Sequence, residues 1–523
     1  MSFPLLTATA VLPAVGAIIT AAVPAARRTA AKWLALLVSL ATLVLAITVM
    51  VRFDPDGDRY QLTESHAWIA DFGVRYELGV DGIAVALIAL TALLIPFIIL
   101  AGWHDADPLE TGNTRWRPTQ GFFALILAVE AMVIISFEAT DVFLFYIFFE
   151  AMLIPMYFLI GGFGDRAHAG SEENAAAQRS YAAVKFLLYN LVGGLIMLAA
   201  VIGLYVVAGN FSLQEIAEAR ANGSLDMATN TERWLFLGFF FAFAVKAPLW
   251  PLHTWLPNAM GEATAPVAVL ITAVVDKVGT FAMLRFCLQL FPEASKWATP
   301  AILVLALISI IYGALLAVGQ RDIKRLVAYA SISHFGFIIL GIFAMTSQGQ
   351  SGATLYMVNH GISTAALMLV AGFLISRRGS RLIADYGGVQ KVAPVLAGTF
   401  LIGGLATLSL PGLAPFVSEF LVLVGTFARY PVIGIIATFG IVLAALYVLV
   451  LYQRTMTGPV KPEVATMPDL RVRELVVVAP LVALLIFLGV YPKPITDIVN
   501  PAVKQTMSDV QKKDPQPEVE AAK

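Results

Sequence analysis

A succession of apolar stretches, each long enough to cross a membrane, constrains this chain more than any other feature of its sequence. A helix that spans the hydrocarbon core of a bilayer needs about 20 mainly apolar residues, and about fourteen such stretches occur here. Of the 523 residues, 59% are hydrophobic and only 13% are charged. A water-soluble fold would have too few polar side chains to cover its surface. The sequence therefore predicts an all-α polytopic membrane protein with about 14 transmembrane helices.

The first apolar stretch has no basic residue before it, whereas Arg27 and Arg28 follow it. It is therefore expected to be a retained span and not a cleaved signal peptide. The predicted spans lie near residues 4–23, 33–51, 83–102, 120–138, 142–161, 180–208, 233–257, 264–289, 298–319, 325–345, 352–376, 393–427, 431–453 and 474–492.

Composition and motifs exclude several classes of function. A formal net charge of -1 offers no basic surface for nucleic acid. Cys287 is the single cysteine, which excludes an internal disulfide and a Cys-ligated iron–sulfur cluster. The P-loop spacing and the dinucleotide glycine fingerprint are both absent from the sequence. We expect no cofactor and no metal on this chain, so that the driving force must come from an ion gradient or from partner chains.

The distribution of basic residues predicts the orientation of the chain. Most Lys and Arg residues of the loops fall in one set of alternate loops, whereas the loop 52–82 on the other side is acidic. The positive-inside rule places the basic loops in the cytoplasm, and an even number of spans then places both termini outside. The tail 493–523 is polar and rich in Lys, Glu and Pro, and we expect it to be loosely ordered.

Ionisable residues inside the predicted spans are the most informative feature of the sequence. Each such group costs at least ~2.5–3.5 kcal/mol on insertion scales, so it needs a partner, a water cavity or a function. Those that remain after the loops are set aside are Glu130, Glu150, Lys185, Lys246, Asp276, Lys277, Arg285, His334, His360 and Glu419.

Two spans are predicted to be broken at their centres. Lys246 is followed by Pro248 and Pro251, and Glu419 is preceded by PGLAP at 411–415. Proline removes a helical hydrogen bond, and discontinuous helices mark ion sites in transporters. Because the two broken spans lie five spans apart, they predict two inverted five-helix repeats.

The predicted repeats cover 120–297 and 298–455, with helices four to eight in the first and nine to thirteen in the second. The segment 1–119 precedes them with three helices and the acidic outer loop. The segment 456–523 follows with the last helix and the polar outer tail.

Simpler roles remain open for several of these charges. Lys185 and Arg285 lie near span ends, where long side chains snorkel to the interface. Asp276 fits either a local charge pair with its neighbour Lys277 or a transport role, and His334 fits a satisfied core histidine. For Glu150, Lys246 and Glu419 the alternative is a structural ion pair, which we disfavour because an apolar core is usually cheaper.

A buried glutamate and lysine can store and release a proton. Burial favours the neutral form of each side chain, whereas an opposite charge nearby favours the ionised form. If Glu150 approaches and leaves Lys246, the lysine can therefore take up and release a proton. Lys277, His334 and His360 are placed by the sequence to pass that proton towards Glu419.

Five stretches of the sequence carry a family resemblance over roughly 120–430. They are FYIFFEAMLIPMYFLIG, FAVKAPLWPLHTWLPNAMGEATAPVAVLITAVVDKVGTF, DIKRLVAYASISHFGF, YMVNHGISTAALMLVAG and LPGLAPFVSEFLVL. They closely resemble the antiporter-like subunits of proton-pumping NADH–quinone oxidoreductase (respiratory complex I), and the segment K-A-P-x-x-P-x-H-x-W-L-P is highly specific. Subunits of multisubunit cation/proton antiporters and of membrane-bound hydrogenases share this fold.

The resemblance implies roles for individual residues. Glu150 and Lys246 correspond to the modulating pair, Lys277 and His334 to the central relay, and Glu419 to the terminal exchange residue. Secondary candidates for the proton path, which match less sharply, are Glu130, Lys185 and His360.

The resemblance also implies partners and location. NADH, FMN, iron–sulfur clusters and quinone are expected on partner subunits of a bacterial membrane complex, and paralogous subunits are expected on either side of this chain in the lipid bilayer. The alternative is a subunit of a cation/proton antiporter, and a third possibility is that the buried pairs merely fix helix register.

Overall fold

The structure, a computed structural model, describes residues 3–107, 118–165 and 172–516, with the side chain of Glu172 left out. Arg115, Arg117 and Arg166 of the predicted basic loops lie outside the described residues. The helices in chain order are α1 (Leu5–Ala22), α2 (Arg28–Arg52), α3 (Gly82–Ala101), α4 (Thr119–Glu138), α5 (Val142–Ala151), α6 (Leu153–Gly161), α7 (Glu172–Ala208), α8 (Leu213–Ala221), α9 (Thr229–Lys246), α10 (Leu256–Glu262), α11 (Ala265–Val269), α12 (Asp276–Ala282), α13 (Pro292–Val318), α14 (Ile323–Phe343), α15 (Ser347–Arg378), α16 (Val389–Val392), α17 (Pro394–Thr407), α18 (Ala414–Arg429), α19 (Pro431–Met456), α20 (Val472–Val490) and α21 (Lys493–Asp509).

The predicted helical architecture is confirmed. In the described part of the chain, 12 continuous helical segments are long and apolar enough to cross a membrane. One of them runs through α5 and α6, and another joins α11 and α12 through a π turn at Leu270–Val275. The two remaining predicted spans are the broken ones, formed by α9 with α10 and by α17 with α18.

The most deeply buried helices form the centre of the molecule. In the segment Ala265–Leu288 every residue except Ala265 is buried, and 94% of the residues in the most apolar stretches of α14 and α15 are buried. By contrast, only one-third of the residues in the most apolar stretches of α2, α7 and α19 are buried, and these helices turn apolar side chains such as Leu188 and Phe439 outwards. A protein that exposes so much apolar surface is suited to lipid or to partner helices.

A β-hairpin lies at one end of the helices, which we call the hairpin end. Strand β1 (Gln61–Ile69) pairs antiparallel with β2 (Val74–Val80). The Glu64 carboxylate accepts a hydrogen bond from the backbone N–H of Leu6 at 2.9 Å and thereby caps the start of α1. The acidic loop was predicted, whereas its strands were not.

The chain after 492 corrects the predicted loosely ordered tail, because α21 lies there as an ordered helix across the hairpin end. Its apolar face buries Val499 and Val503, and Asp509 pairs with Arg59 at 2.7 Å. Gly82 allows the close contact with α3, since a Cβ there would lie 1.8 Å from the Ile498 carbonyl oxygen.

Two aspartate caps repeat the same local structure at opposite ends of the molecule. Asp141 accepts from two backbone N–H groups at the start of α5, at 2.8 and 2.9 Å, and lies at the hairpin end. Asp322 does the same for α14 at the other end, at 2.8 and 3.2 Å. Each forms an isolated antiparallel bridge to a later segment, Asp141 with Ser212 after α7 and Asp322 with Leu382 after α15.

We predict that Asp141→Ala lowers stability by about 1 kcal/mol, because it removes an N-cap. Asp141→Asn keeps a capping oxygen and should lose less. Burial raises the pKa of Asp141 to about 6, so the comparison is made at pH 8, where the carboxyl is charged. The measurement is the fraction of chain that mild detergent still extracts after isolated membranes are heated. Equal losses in the two variants would contradict the assignment of Asp141 as a cap.

Candidate functional site

A buried lysine and a histidine meet at the centre of the molecule. The Lys277 amine lies 2.7 Å from Nδ1 of His360 and 4.1 Å from the centre of the Phe335 ring. Lys277 belongs to α12 and His360 to α15, and both side chains are fully buried. Neighbouring residues point in different directions on a helix, and Lys277 accordingly turns to His360 and makes no ion pair with Asp276. Of the two alternatives for Asp276, a close ion pair with Lys277 is therefore not formed.

From His360 a line of polar groups continues to Glu419. The rings of His360 and His334 have centres 5.2 Å apart. Nδ1 of His334 lies 3.2 Å from the Tyr356 hydroxyl, which donates to Oε2 of Glu419 at 2.9 Å. The Ser409 hydroxyl donates to the same oxygen. We call this line, from Lys277 to Glu419, the polar axis.

Both ring nitrogens of His334 have hydrogen-bond partners, and the ring is also part of the polar axis. Its second ring nitrogen lies 3.2 Å from the hydroxyl of Tyr447 on α19. A neutral imidazole has one donor and one acceptor nitrogen, so both of its roles are filled. Hydroxyl groups can donate and accept at once, and Tyr356 therefore joins His334 to Glu419.

The sequence interpretation missed Tyr356, Tyr447 and Ser409. A signal for Tyr356 was present, since Tyr356, His360 and Thr364 recur every four residues and so share one helix face. Thr364 contacts His360 at 3.2 Å, which completes that face. Tyr447 and Ser409 had no comparable local pattern.

The first broken helix ends at Lys246. Its amine donates to the Phe149 carbonyl oxygen at 3.2 Å and lies 4.2 Å from the centre of that ring. A carbonyl freed by the break, that of Val245, accepts from the indole of Trp255 at 3.0 Å. A cation at the carboxyl end of α9 is favoured by the helix dipole.

The Glu150 carboxylate makes no ion pair with the Lys246 amine. Its carboxylate rests against Gly194 of α7, where a Cβ would come within 1.9 Å of Oε1. That oxygen is buried without a hydrogen-bond partner. Within the described residues no ion pair joins Glu150 to Lys246, although the two side chains are near enough to interact electrostatically.

Three further candidates have different surroundings. Lys185 is partly exposed and donates to Asn258 in α10 at 3.0 Å. Arg285 is buried and pairs with Asp81 at 2.9 Å. Glu130 on α4 is fully buried, and neither of its carboxylate oxygens has a partner. Glu138, which the sequence interpretation did not single out, is buried in the same way at the hairpin end of α4.

A cavity of about 640 Å³ opens at the end opposite the hairpin. Its walls carry Asp105, Lys324 and Arg473, and it reaches Leu369 on α15. Leu369 follows Thr364 by five residues, or about 7.5 Å along a helix. Among the described residues, no group of three or more His, Cys, Asp or Glu side chains could hold a metal ion.

Comparisons with known proteins agree with this architecture. A family model described as NADH:quinone oxidoreductase/Mrp antiporter, TM matches residues 139–444. NADH-quinone oxidoreductase subunit M of Mycobacterium tuberculosis is 56% identical over 97% of this chain and 95% of that protein. A chain of respiratory complex I from Thermus thermophilus with bound NADH superposes with a TM-score of 0.84 at 30% identity, covering 97% of this chain and 99% of that one. A chain of the Mrp complex from Dietzia sp. DQ12-45-1b has the same fold, with a TM-score of 0.82 at 20% identity over 98% and 100% of the two chains.

We predict that Arg285 is structural. Breaking a buried ion pair costs ~3–5 kcal/mol because one charge is left uncompensated, so Arg285→Met should strongly lower the amount of chain that survives heating in membranes. The double variant Arg285→Met with Asp81→Asn removes both charges and should recover most of the loss. A single variant as stable as the parent would contradict this assignment.

Proposed function

The chain belongs to the NADH:quinone oxidoreductase/Mrp antiporter transmembrane family, and from this membership we propose that it acts as the proton-translocating M subunit in the membrane arm of an NADH–quinone oxidoreductase. The observation that carries the proposal is the polar axis, a line of ionisable and hydroxyl groups buried among apolar helices. It joins Lys277 in the first predicted repeat to Glu419 in the second. The chain is thus part of a translocase, and NADH oxidation and quinone reduction take place on its partner subunits.

Proton movement begins at the first broken helix. When Glu150 draws near Lys246, the ion pair favours the protonated amine, and when it withdraws, burial favours release of the proton. The released proton passes to Lys277 and His360, and then along His334. Glu419 receives it as the terminal exchange group. Glu130 and Lys185 remain secondary candidates beside this path.

The two capped helices support an inverted repeat. The caps at Asp141 and Asp322 share their hydrogen bonds and their bridges, yet they lie at opposite ends of the molecule. We assign the first repeat to 120–297 and the second to 298–455, with the uptake half-channel in the first and the release half-channel in the second. The cavity opposite the hairpin supplies water to the uptake side.

The charge of the loops indicates the orientation of the chain in the membrane, and its exposed apolar surface indicates where neighbouring subunits bind. The described basic loops lie opposite the hairpin, so that end faces the cytoplasm of a bacterial cell and both termini face outwards. Both α7 and α19 turn apolar side chains outwards, and the two helices pack against different neighbouring helices. They suit the paralogous L and N subunits as neighbours, with lipid over the remaining surface.

The family description also covers Mrp antiporters, which makes a subunit of a multisubunit cation/proton antiporter the second candidate. Affinity purification from native membranes distinguishes the two. Partners that carry flavin and iron–sulfur clusters support the M subunit, whereas small membrane subunits alone support the antiporter.

We predict that Lys246→Ala or Glu150→Ala abolishes proton pumping and slows NADH–quinone turnover while the complex stays assembled. Either change removes one member of the pair that drives proton release. Pumping is measured as acidification of inverted membrane vesicles on NADH addition, and assembly by native gel. Lys391→Ala, at an exposed lysine, is the control. Normal pumping in both variants would refute the mechanism.

We predict that Tyr356→Phe lowers the pumping rate by about fivefold to about 150-fold. Loss of the hydroxyl removes a donor from Glu419, which costs ~1–3 kcal/mol, and each ~1.4 kcal/mol corresponds to a factor of ten in rate. Tyr452→Phe, at a half-buried tyrosine hydroxyl away from the polar axis, is the matched control. Equal rates in the two variants would show that protons bypass Tyr356.

A further inference from the structure

One fully buried acid at the centre of the molecule has no role in the mechanism above. Asp276 is 0% exposed, and neither of its carboxylate oxygens has a hydrogen-bond partner. Polar groups buried in a protein are almost always bonded, and an exception calls for an explanation. An apolar residue would occupy the same position at lower cost.

The packing of α12 places Asp276 beside the first broken helix. Gly279 lies three residues later on the same face of α12. A Cβ at Gly279 would come within 3.0 Å of the Ala247 nitrogen and of the Phe243 carbonyl oxygen. That face therefore rests directly on the end of α9, where Lys246 is the last residue.

A π turn precedes Asp276 directly. The segment Leu270–Val275 has the wider π geometry, and α12 begins at Asp276. Such turns shift the helical register by a residue and occur frequently at functional sites. Here the shift brings an aspartate to face α9 while its neighbour Lys277 faces α15.

The charges that act on Asp276 come from both sides of it. Lys246 and Lys277 are both within Coulombic reach of its carboxylate. Lys246 is the member of the Glu150–Lys246 pair that releases the proton in the proposed mechanism, and Lys277 is the first residue of the polar axis. The structure otherwise shows no side-chain hydrogen bond that joins these two lysines among the described residues.

We propose that Asp276 is a proton-transfer residue that carries the proton from Lys246 to Lys277. In the first step an N–H bond of the Lys246 ammonium breaks and an O–H bond forms on Asp276, which leaves a neutral amine and a neutral acid. In the second step the acid gives its proton to the neutral amine of Lys277. One positive charge has then moved from Lys246 to Lys277, without oxidation or reduction. This inference rests on the proposed function.

The test uses the assembled complex in inverted vesicles with NADH as substrate. Asp276→Asn keeps the shape of the side chain and cannot carry a proton, so it should reduce pumping to the level of Lys246→Ala. Asp276→Glu keeps the carboxyl and should retain a substantial part of the activity. Glu138→Gln is the matched control, since Glu138 is an equally buried and unpartnered carboxyl away from the axis, and it should pump normally.

The outcomes separate this inference from the proposed function. Normal pumping in Lys246→Ala would overturn the proposed function. Loss of pumping in Lys246→Ala together with full pumping in Asp276→Asn would overturn the role of Asp276 alone. Equal losses in Asp276→Asn and Glu138→Gln would also overturn it, because they would show a general effect of removing buried carboxyls.

A spectroscopic measurement covers the case in which Asp276→Asn fails to assemble. Infrared difference spectra between resting and turning-over complex should contain a C=O stretching band from a carboxyl that gains and loses a proton. The band should shift in Asp276→Glu and stay in place in Glu138→Gln. A band that is identical in wild type and Asp276→Glu would contradict the inference.

Discussion

The cost of an ionisable group in a low-dielectric interior organises this molecule. Several of these groups are satisfied by a side chain from another helix, whereas the carboxylates of Asp276, Glu130 and Glu138 have no hydrogen-bond partner. Lys277 reaches from α12 to His360 on α15, and Tyr356 reaches from α15 to Glu419 on α18. The same contacts that make these charges tolerable hold the most buried helices in register. One set of side chains therefore both compensates buried charges and holds these helices in register.

The cost of burying unpaired polar groups applies also to the backbone of the two broken helices. Each break frees carbonyl and N–H groups that would be costly in lipid, and such groups are tolerated only inside protein or beside water. The indole of Trp255 satisfies one of them, the carbonyl of Val245. Since each break lies within the bundle, it brings a helix end, with its partial charge, to the depth at which Lys246 and Glu419 lie.

The helices and most of the buried charged residues could be predicted from the sequence, because both can be recognised from the composition of short stretches. All of the predicted spans have counterparts, and the proline clusters located both breaks. The hairpin and α21 were missed, since their order comes from contacts such as that of Arg59 with Asp509, which are 450 residues apart. The partners of Lys185 and Arg285 were missed for the same reason. Which way Asp276 turns depends on a π turn, and a local pattern of apolar residues does not reveal it.

The two broken helices differ in the charge they carry, and this difference bears on why the chain needs partners. Lys246 lies at the carboxyl end of α9, where the dipole favours the protonated amine. Glu419 lies in the second turn of α18, near an amino end, where the dipole leans towards the carboxylate. On the proposed path, the dipoles would hold the proton at Lys246 and disfavour its binding at Glu419, so the resting chain would need an external driving force to move it. Glu150 is half-buried, its carboxylate rests against α7, and no ion pair joins it to Lys246 among the described residues. In the proposed mechanism, a partner that moves this carboxylate would change the charge balance at Lys246, and transport would then follow events on neighbouring subunits.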